Sequence, residues 1–354
     1  DGYGNSRRTL RRHHEAQPLD RTTRRGDVDR ERQPIRCKTA ALLYGDAETT
    51  VLRVPRPRRI HLGIPGTTHP LVEEPAQRTA RRPLERPLQI RRERVAVSMR
   101  NYPEWVVAYW ATVSVGAALV GMNAWWTTPE MEYALNDSAP VVLIADDERL
   151  ERFEQIEKAP AVHILGVRTD RALPAGSGRW ADVLAMTDPG VLPTVDIDTD
   201  DDVTIFYTSG TTGFPKGAQL THRGSVSNIF NMLTMTMAAN SAEAKGIAAG
   251  DIPAPTTAPS AYPAAFMAPT PLFHVTACNC ILHPATVMGA KLVLTYKWEP
   301  GRALELIERE HVTTLSGVPT MSRELLLHPD WETRDTSSLQ GMGGGGAPLQ
   351  PDLV

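Results

Sequence analysis

The segment YTSGTTGFPKGA, residues 207–218, constrains the fold more than any other part of the chain. An apolar run at residues 203–206 precedes it and a stretch of helical character starts near Thr221, which predicts the order strand, small-residue loop, helix. Glycines let backbone N–H groups approach an anion, and hydroxyl and ammonium groups add to that attraction. The segment therefore predicts a phosphate-binding loop formed by Thr208, Ser209, Gly210, Thr211, Thr212, Gly213, Lys216 and Gly217.

A Walker A loop is the nearest alternative, and it requires G-x-x-x-x-G-K followed by Ser or Thr. Lys216 instead follows Pro215 and precedes Gly217, so this requirement is not met. A flexible linker that binds nothing predicts neither the preceding strand nor the Pro-Lys-Gly ending. We therefore interpret the segment as a phosphate-binding loop of another kind.

The sequence TSGTTGFPKGAQLTHRG resembles the signature loop of the adenylate-forming (AMP-binding) superfamily, and most resembles its fatty-acyl-CoA ligase (acyl-CoA synthetase) branch. Three further regions agree in order and spacing. Residues 100–146 are similar to the family's early helix-strand-helix block, and PLFHVTA at residues 271–277 is similar to its acyl-pocket motif. GVPTM and GGGGAPL, at residues 317–321 and 343–349, are similar to its nucleotide-pocket motifs. The resemblance runs from about residue 94 to the last residue.

From residue 94 onward, apolar strand-like runs alternate with amphipathic helices, which is typical of a largely parallel sheet covered on both faces. A chain of 354 residues favours two packed subdomains over one core. We predict an α/β fold of two packed subdomains of largely parallel sheets flanked by helices. The resemblance implies the large N-terminal domain of adenylate-forming enzymes, incomplete here. The expected subdomains are residues 94–200 and residues 201–354, the second carrying the phosphate-binding loop and being truncated.

Local patterns give expectations for single helices. Asn101 and Thr128 are each expected to cap a helix that has a proline in its first turn. The helix after the phosphate-binding loop is expected to pack through an apolar stripe formed by Val226, Ile229, Phe230, Leu233 and Met237. Four tryptophans at helical spacing are interpreted as core residues: Trp105, Trp110, Trp125 and Trp126.

The resemblance also implies a chemistry. A carboxylate attacks the α-phosphorus of ATP, pyrophosphate leaves, and the thiol of coenzyme A opens the resulting acyl-AMP, with a fatty acid as the expected substrate. Thr208 to Lys216 would surround the β- and γ-phosphates, with Thr208 also contacting Mg²⁺. His274 would lie between the acyl pocket and the reacting carboxylate, and Gly345, Gly346 and Ala347 would lie against the adenine. The expected catalytic residues are Lys216, Thr208 and His274.

The family pattern continues beyond the point at which this sequence stops. The sequence ends at Val354, whereas family members continue with further adenine and metal ligands and a small C-terminal domain. Removing one preorganised charge-stabilising group costs about 10²- to 10³-fold in rate. We therefore expect no measurable ligase activity from this chain alone.

The first 93 residues differ in composition from the rest. The first hundred residues carry 22 Arg and one Lys against 12 Asp and Glu, although the net charge of the whole chain is only −3. Apolar periodicity is weak there, so residues 1–93 are expected to be poorly structured. A transit peptide or a nucleic-acid-binding arm is disfavoured, because acidic residues are scattered through the segment.

We favour the hypothesis that this segment was translated in a shifted reading frame of GC-rich DNA. An island, TAALLYGDAETT at residues 39–50, resembles the usual beginning of the family, and the pattern is then lost until residue 94. Translation of the other two frames tests the hypothesis, which requires an amphipathic helix leading into Val95.

Composition bounds the remaining alternatives. No apolar run approaches the roughly 18 residues of a membrane span, no secretory signal opens the chain, and three cysteines cannot form a disulfide framework, so a cytoplasmic location is expected. Peripheral membrane contact stays open, and no nucleic-acid partner is expected. The alternative functions are an aryl-acid CoA ligase, an adenylation domain that loads a carrier protein, and a non-catalytic remnant whose basic arm binds polyanions.

Overall fold

The computed structural model describes residues 35–36, 42–46, 49–53, 92–186, 194–209, 213–253 and 262–345. Its strands, in chain order, are β1 (Ile35–Arg36), β2 (Leu42–Asp46), β3 (Thr49–Arg53), β4 (Arg94–Ser98), β5 (Ala118–Gly121), β6 (Val142–Asp146), β7 (His163–Val167), β8 (Gly178–Arg179), β9 (Asp202–Thr208), β10 (Lys216–Thr221), β11 (Ala265–Ala268), β12 (Lys291–Thr295), β13 (Thr314–Gly317) and β14 (Gly341–Gly344).

The helices are α1 (Pro103–Ser114), α2 (Thr128–Ser138), α3 (Asp147–Glu154), α4 (Trp180–Met186), α5 (His222–Ala249), α6 (Val275–Ala277), α7 (His283–Met288), α8 (Pro300–Glu310) and α9 (Pro319–Leu326). A π-helical turn, Cys278–Leu282, connects α6 to α7, and a 3₁₀ turn, Pro329–Glu332, follows α9. Within these described helices, none combines the length and the apolar character needed to cross a membrane.

The first sheet has the strand order β10-β9-β5-β4-β6-β7-β8. All its neighbouring strands are parallel except β10, which runs antiparallel to β9 at one edge. The central strand β4 is buried from Val95 to Ser98 because helices cover both of its faces, which is why its sequence reads as a continuous apolar run.

The second sheet has the order β1-β2-β3-β12-β11-β13-β14. Its strands β12, β11, β13 and β14 are parallel, and β3 is antiparallel to β12. β2 and β3 form an antiparallel hairpin. This hairpin contains most of the segment at residues 39–50 that resembles the family's beginning, so that segment extends the second sheet. The two sheets together confirm the predicted α/β class with largely parallel sheets.

A shared core joins the two sheets. One cluster of buried side chains contains Val95 and Leu119 from the first sheet, Ala268 and Leu292 from the second, and Trp105 from α1. Separate clusters cover the outer faces, one beneath α2 and α3 and the other beneath α8 and α9. Trp105 and Trp126 are buried as expected, whereas Trp125 is 52% exposed.

The connection before residue 202 does not separate the two sheets. β9 pairs with β5 in parallel, with Val120 opposite Ile205, and β10 pairs with β9. The residues from Asp202 to Thr221 therefore belong to the first sheet. The passage to the second sheet occurs after α5, with β11.

Two expected helix caps differ in the structure. α2 begins one residue earlier than expected, because Thr127 is its N-cap and the Thr127 N–H donates to Glu130 Oε2 at 2.8 Å. The N-cap of α1 is Tyr102, without a side-chain cap bond, and the Asn101 side chain bonds to the second sheet instead.

The apolar stripe of α5 was predicted to pack, and this prediction is wrong for the described part of the chain. Its members are exposed by 41% to 72%: Val226, Phe230, Leu233 and Met237, with only Ile229 half-buried. Among the described elements, α5 has its main contacts with β9, β10 and the π-helical turn, and these contacts leave most of the stripe exposed.

Candidate active site

The glycine-rich segment forms the turn of a β-hairpin at the edge of the first sheet. β9 ends at Thr208, β10 begins at Lys216, and these two residues are opposite each other in the antiparallel register. The Thr208 hydroxyl donates weakly to the Lys216 carbonyl at 3.4 Å. The predicted order strand, loop, helix is corrected to strand, turn, strand, helix, because β10 precedes α5.

The hairpin presents polar groups at an open edge. Thr208, Ser209 and Lys216 are exposed, and no carboxylate among the described residues lies within ion-pairing distance of Lys216 Nζ. Gly213 has φ of +93°, a conformation that favours glycine. The predicted residues Gly210, Thr211 and Thr212 lie outside the described part of the chain.

Gly217 is required by close packing on β9. A Cβ at this position would lie 2.9 Å from Cγ2 of Ile205, closer than side-chain carbons approach. The glycine therefore keeps β10 flush against β9 and fixes the position of the neighbouring Lys216.

Helix α2 contacts the hairpin at the end of β9 and at the turn, and sequence reasoning missed these contacts. The Tyr207 hydroxyl donates to Asp137 Oδ2 at 2.6 Å, and the Tyr133 ring stacks on Phe214 with centroids 4.9 Å apart. Burial, and then the contact with Asp137, raises the pKa of Tyr207, so its hydroxyl stays protonated as the donor. Tyr133 and Asp137 are four residues apart on one helix face, but their partners are distant in sequence and left no local signal.

His274 begins the short helix α6 as its N-cap. Its Nδ1 accepts from the Thr276 N–H at 3.2 Å, and the ring is exposed. The preceding Phe273 meets Trp125 edge-on with ring centroids 5.4 Å apart. Asn101 holds this loop from the first sheet through Thr270 and Leu272, as described above.

A pocket of about 560 Å³ opens where the two sheets meet. Arg100 and Lys297 bring positive charge to it, and the Arg100 guanidinium carbon lies 4.5 Å from the Trp125 ring centroid and 5.3 Å from that of Tyr296. Residues from two predicted motifs also line it: Pro271 and Phe273 of PLFHVTA and Met321 of GVPTM. Sequence reasoning named the motifs but missed Arg100, whose aromatic partners are far along the chain.

The two nucleotide-pocket motifs are adjacent in the second sheet. Gly317 lies opposite Gly344 in the parallel register of β13 and β14, and the Gly345 N–H donates to the Gly317 carbonyl at 3.1 Å. A Cβ on Gly344 would lie 3.4 to 3.5 Å from backbone atoms of Gly317 and Pro319, which is ordinary van der Waals contact. Gly346 and Ala347 lie outside the described residues.

The predicted site residues thus occupy three places: the hairpin with Thr208, Ser209, Gly213, Lys216 and Gly217, the loop with His274, and the end of β14 with Gly345. Among the described residues, no hydrogen bond or ion pair joins Lys216, His274 and Gly345 to one another. His274 and Gly345 follow strands of the second sheet, whereas the hairpin is formed by two strands of the first sheet.

The cysteines take no part in this arrangement. Cys278 is buried and Cys280 half-buried, and burial raises the pKa of both. In the described residues, no three His, Cys, Asp or Glu side chains converge on a metal-sized site. Cys37 lies outside the described part.

Comparison with known proteins finds relatives that are CoA synthases and CoA ligases. A feruloyl-CoA synthase from Amycolatopsis sp is 32% identical over 262 residues, covering 74% of this chain and 46% of the relative. A 4-coumarate–CoA ligase 2 from Oryza sativa subsp. japonica is 29% identical over 271 residues, covering 74% and 44%. The chain thus spans about half the length of the curated relatives it matches.

The fold agrees with a solved structure. The inhibitor-bound N-terminal domain of FACL13 from Mycobacterium tuberculosis superimposes with a TM-score of 0.60 at 23% identity, covering 74% of this chain and 59% of that one. The family model described as AMP-binding enzyme matches residues 68–354, so the match begins upstream of the expected start near residue 94. The chain therefore belongs to the AMP-binding enzyme family.

Proposed function

We propose that this chain carries the ATP-binding part of an acid–thiol ligase, which activates a carboxylic acid as acyl-AMP and then transfers the acyl group to coenzyme A. The observation that carries the proposal is the hairpin turn, where Lys216 faces solvent without a carboxylate partner among the described residues. A free ammonium beside a glycine-rich turn attracts a polyphosphate rather than stabilising the fold.

Each hairpin residue has a proposed role. Lys216 would neutralise charge that develops on the phosphate oxygens as pyrophosphate leaves, and the exposed hydroxyls of Thr208 and Ser209 would donate to them. The backbone N–H groups of the turn, including Gly213, would complete the phosphate contacts.

The residues present fit Mg²⁺ in a limited way. Mg²⁺ keeps several waters and is held in such sites by substrate phosphates with one or two protein oxygens. The exposed Thr208 hydroxyl can supply one such oxygen. When bound, the ion would neutralise phosphate charge.

The sites for the acid and for the adenine of ATP would lie in the loop with His274 and at the end of β14, respectively. We propose that His274 faces the reacting carboxylate and that Gly345, Gly346 and Ala347 line the adenine. We propose that the pocket between the sheets receives coenzyme A, whose phosphates Arg100 and Lys297 would attract.

The class of acid has two candidates. The PLFHVTA motif and residues 100–146 resemble the fatty-acyl branch, which favours a fatty acid. The feruloyl-CoA synthase and 4-coumarate–CoA ligase relatives favour an aryl acid. Titration of the ATP-loaded chain with decanoate and with ferulate distinguishes them, since only the acid that fits the site beside His274 should bind.

Isothermal titration with MgATP tests the proposed nucleotide site. Lys216→Met should weaken binding by about tenfold or more, because a charge-assisted contact to phosphate contributes about 1.5–3 kcal/mol. Lys245→Met is the matched control, since Lys245 is also exposed but lies near the far end of α5, where it should have no effect. Equal affinities of the Lys216 variant and the unchanged chain would overturn the assignment.

A further inference from the structure

We propose that α2 is a brace for the phosphate-binding hairpin, and that Tyr133 and Asp137 are positioning residues for ATP. This inference rests on the proposed function for its ligand, but the brace itself is a property of the fold. Neither side chain belongs to the signature segment.

The hairpin needs support from outside its own strands. β10 is the edge strand of the first sheet, and its residues from Lys216 to Gln219 are exposed. On its other side no described strand pairs with it. A turn built from glycine, serine and threonine also has little side-chain bulk with which to hold a shape.

Phe214, the one large side chain in the turn sequence, contacts α2. Phe214, between Gly213 and Pro215, is 61% exposed and so contributes little to any core. Its ring lies on Tyr133, with centroids 4.9 Å apart and planes 29° apart. A large aromatic side chain at the tip of an exposed turn is explained by this contact, since rings in offset stacks attract each other beyond their burial.

The second contact holds the other arm. Tyr207, at the end of β9, donates to Asp137 Oδ2 at 2.6 Å and lies 3.4 Å from the Ala134 carbonyl. Tyr133 and Asp137 are separated by one helical turn, so one face of α2 contacts both the end of β9 and the turn of the hairpin. We infer that these two α2 contacts position the Thr208 hydroxyl and the Lys216 ammonium relative to a bound phosphate.

α2 is itself rigidly placed. The Thr127 and Glu130 capping box fixes its first turn, and Met131, Ala134 and Leu135 are buried against the first sheet. α2 therefore has its own capping and core contacts, which do not depend on the hairpin.

Substitutions at the ring contact test the brace. In titrations with MgATP and with inorganic triphosphate, Tyr133→Leu should weaken binding about three- to tenfold, whereas Tyr133→Phe, which keeps the ring, should bind as the unchanged chain does. The pair Tyr133→Leu with Phe214→Leu should bind no more weakly than either single variant, because both remove the same contact. Asn136→Ala changes an exposed α2 side chain whose bonds are to the Glu132 and Lys158 carbonyls, so it is the control and should have no effect.

Hydrogen exchange of the hairpin amides, measured without nucleotide, tests the structural role of α2 independently of whether the chain binds ATP. Tyr133→Leu should raise exchange at residues 208–217 and leave β4 and β6 unchanged. If the unchanged chain binds no ATP yet exchange rises, the brace stands and the proposed function falls. Unchanged exchange in Tyr133→Leu, or additive losses of affinity in the double variant, would overturn the brace.

Discussion

The side chain of Asn101 donates from Nδ2 to the Thr270 carbonyl at 2.9 Å, and this bond joins the loop after β4 to the loop after β11. Its Oδ1 also accepts from the Leu272 N–H at 2.8 Å. One amide thus satisfies two buried backbone groups of the other sheet, at the edge of the pocket that Arg100 and Trp125 line. The two sheets are held together where the proposed substrates would meet.

Asn101→Ala should lower the free energy of unfolding by about 1–3 kcal/mol, because the Thr270 carbonyl and the Leu272 N–H lose their partner while buried. Chemical denaturation measures the difference. Asn136→Ala removes an exposed asparagine that also bonds to backbone carbonyls, and should change stability by less than about 0.5 kcal/mol. Equal losses in the two variants would contradict the role of Asn101.

The buried pair of Arg149 and Asp146 should be sensitive to removal of one partner. Arg149 is 1% exposed, donates from Nη1 to both Asp146 oxygens at 3.0 and 3.1 Å, and donates to the Ala124 carbonyl from Nε and Nη2. Burial raises the pKa of Asp146, and Arg149 opposes that shift.

Arg149→Met should therefore lower the free energy of unfolding by about 3–5 kcal/mol, because it leaves a buried carboxylate unpaired. Thermal or denaturant unfolding measures the loss, and adding Asp146→Asn should recover part of it. Arg223→Met at the exposed pair with Asp200 is the control and should leave the unfolding midpoint unchanged. A small loss for Arg149→Met would show that the buried pair tolerates an unpaired partner.

Acid should destabilise the fold through His283. This ring is buried, its Nε2 lies 2.7 Å from the Tyr109 hydroxyl, and burial lowers the pKa of His283 from 6.5 to about 4. Between these two values the unfolded chain binds a proton that the folded chain does not. The stabilising contribution is therefore present above pH 6.5 and is lost as the pH falls toward 4, by roughly 3 kcal/mol.

The measurement is the free energy of unfolding from pH 7.5 to 4, compared between the unchanged chain and His283→Gln. Carboxylates titrate in both, so the difference between the two slopes isolates His283. The slope should be shallower in His283→Gln than in the unchanged chain. Identical slopes in the two proteins would exclude His283 as the acid-sensitive group.

Buried parallel strands were predictable because their sequences are continuous apolar runs. The runs RVAVS of β4 and VLIAD of β6 are of this kind, and they belong to the apolar strand-like runs expected from residue 94 onward. The strands that were missed lack this signal. β10 reads KGAQLT and β14 reads GMGG, and both exist because a neighbouring strand pairs with them, not because of local propensity.

Long-range side-chain contacts were also beyond the reach of local patterns. Asn101 was expected to cap α1, and its actual partner is 169 residues away. The local sequence around Tyr133 and Asp137 does not indicate their contacts with the hairpin, which lies about 70 to 80 residues further along the chain. The motifs located the candidate site, whereas the residues that hold those motifs in place depend on the assembled sheets.

The central claim is that ATP phosphates lie at Lys216. Lysine acetylation by an amine-reactive ester, quantified by mass spectrometry, measures this directly for Lys216 and Lys245 in one sample. With saturating MgATP the labelling rate of Lys216 should fall at least about fivefold, because a bound phosphate occupies its ammonium, while that of Lys245 stays constant. An unchanged labelling rate at Lys216, with ATP binding verified by titration, would contradict the account.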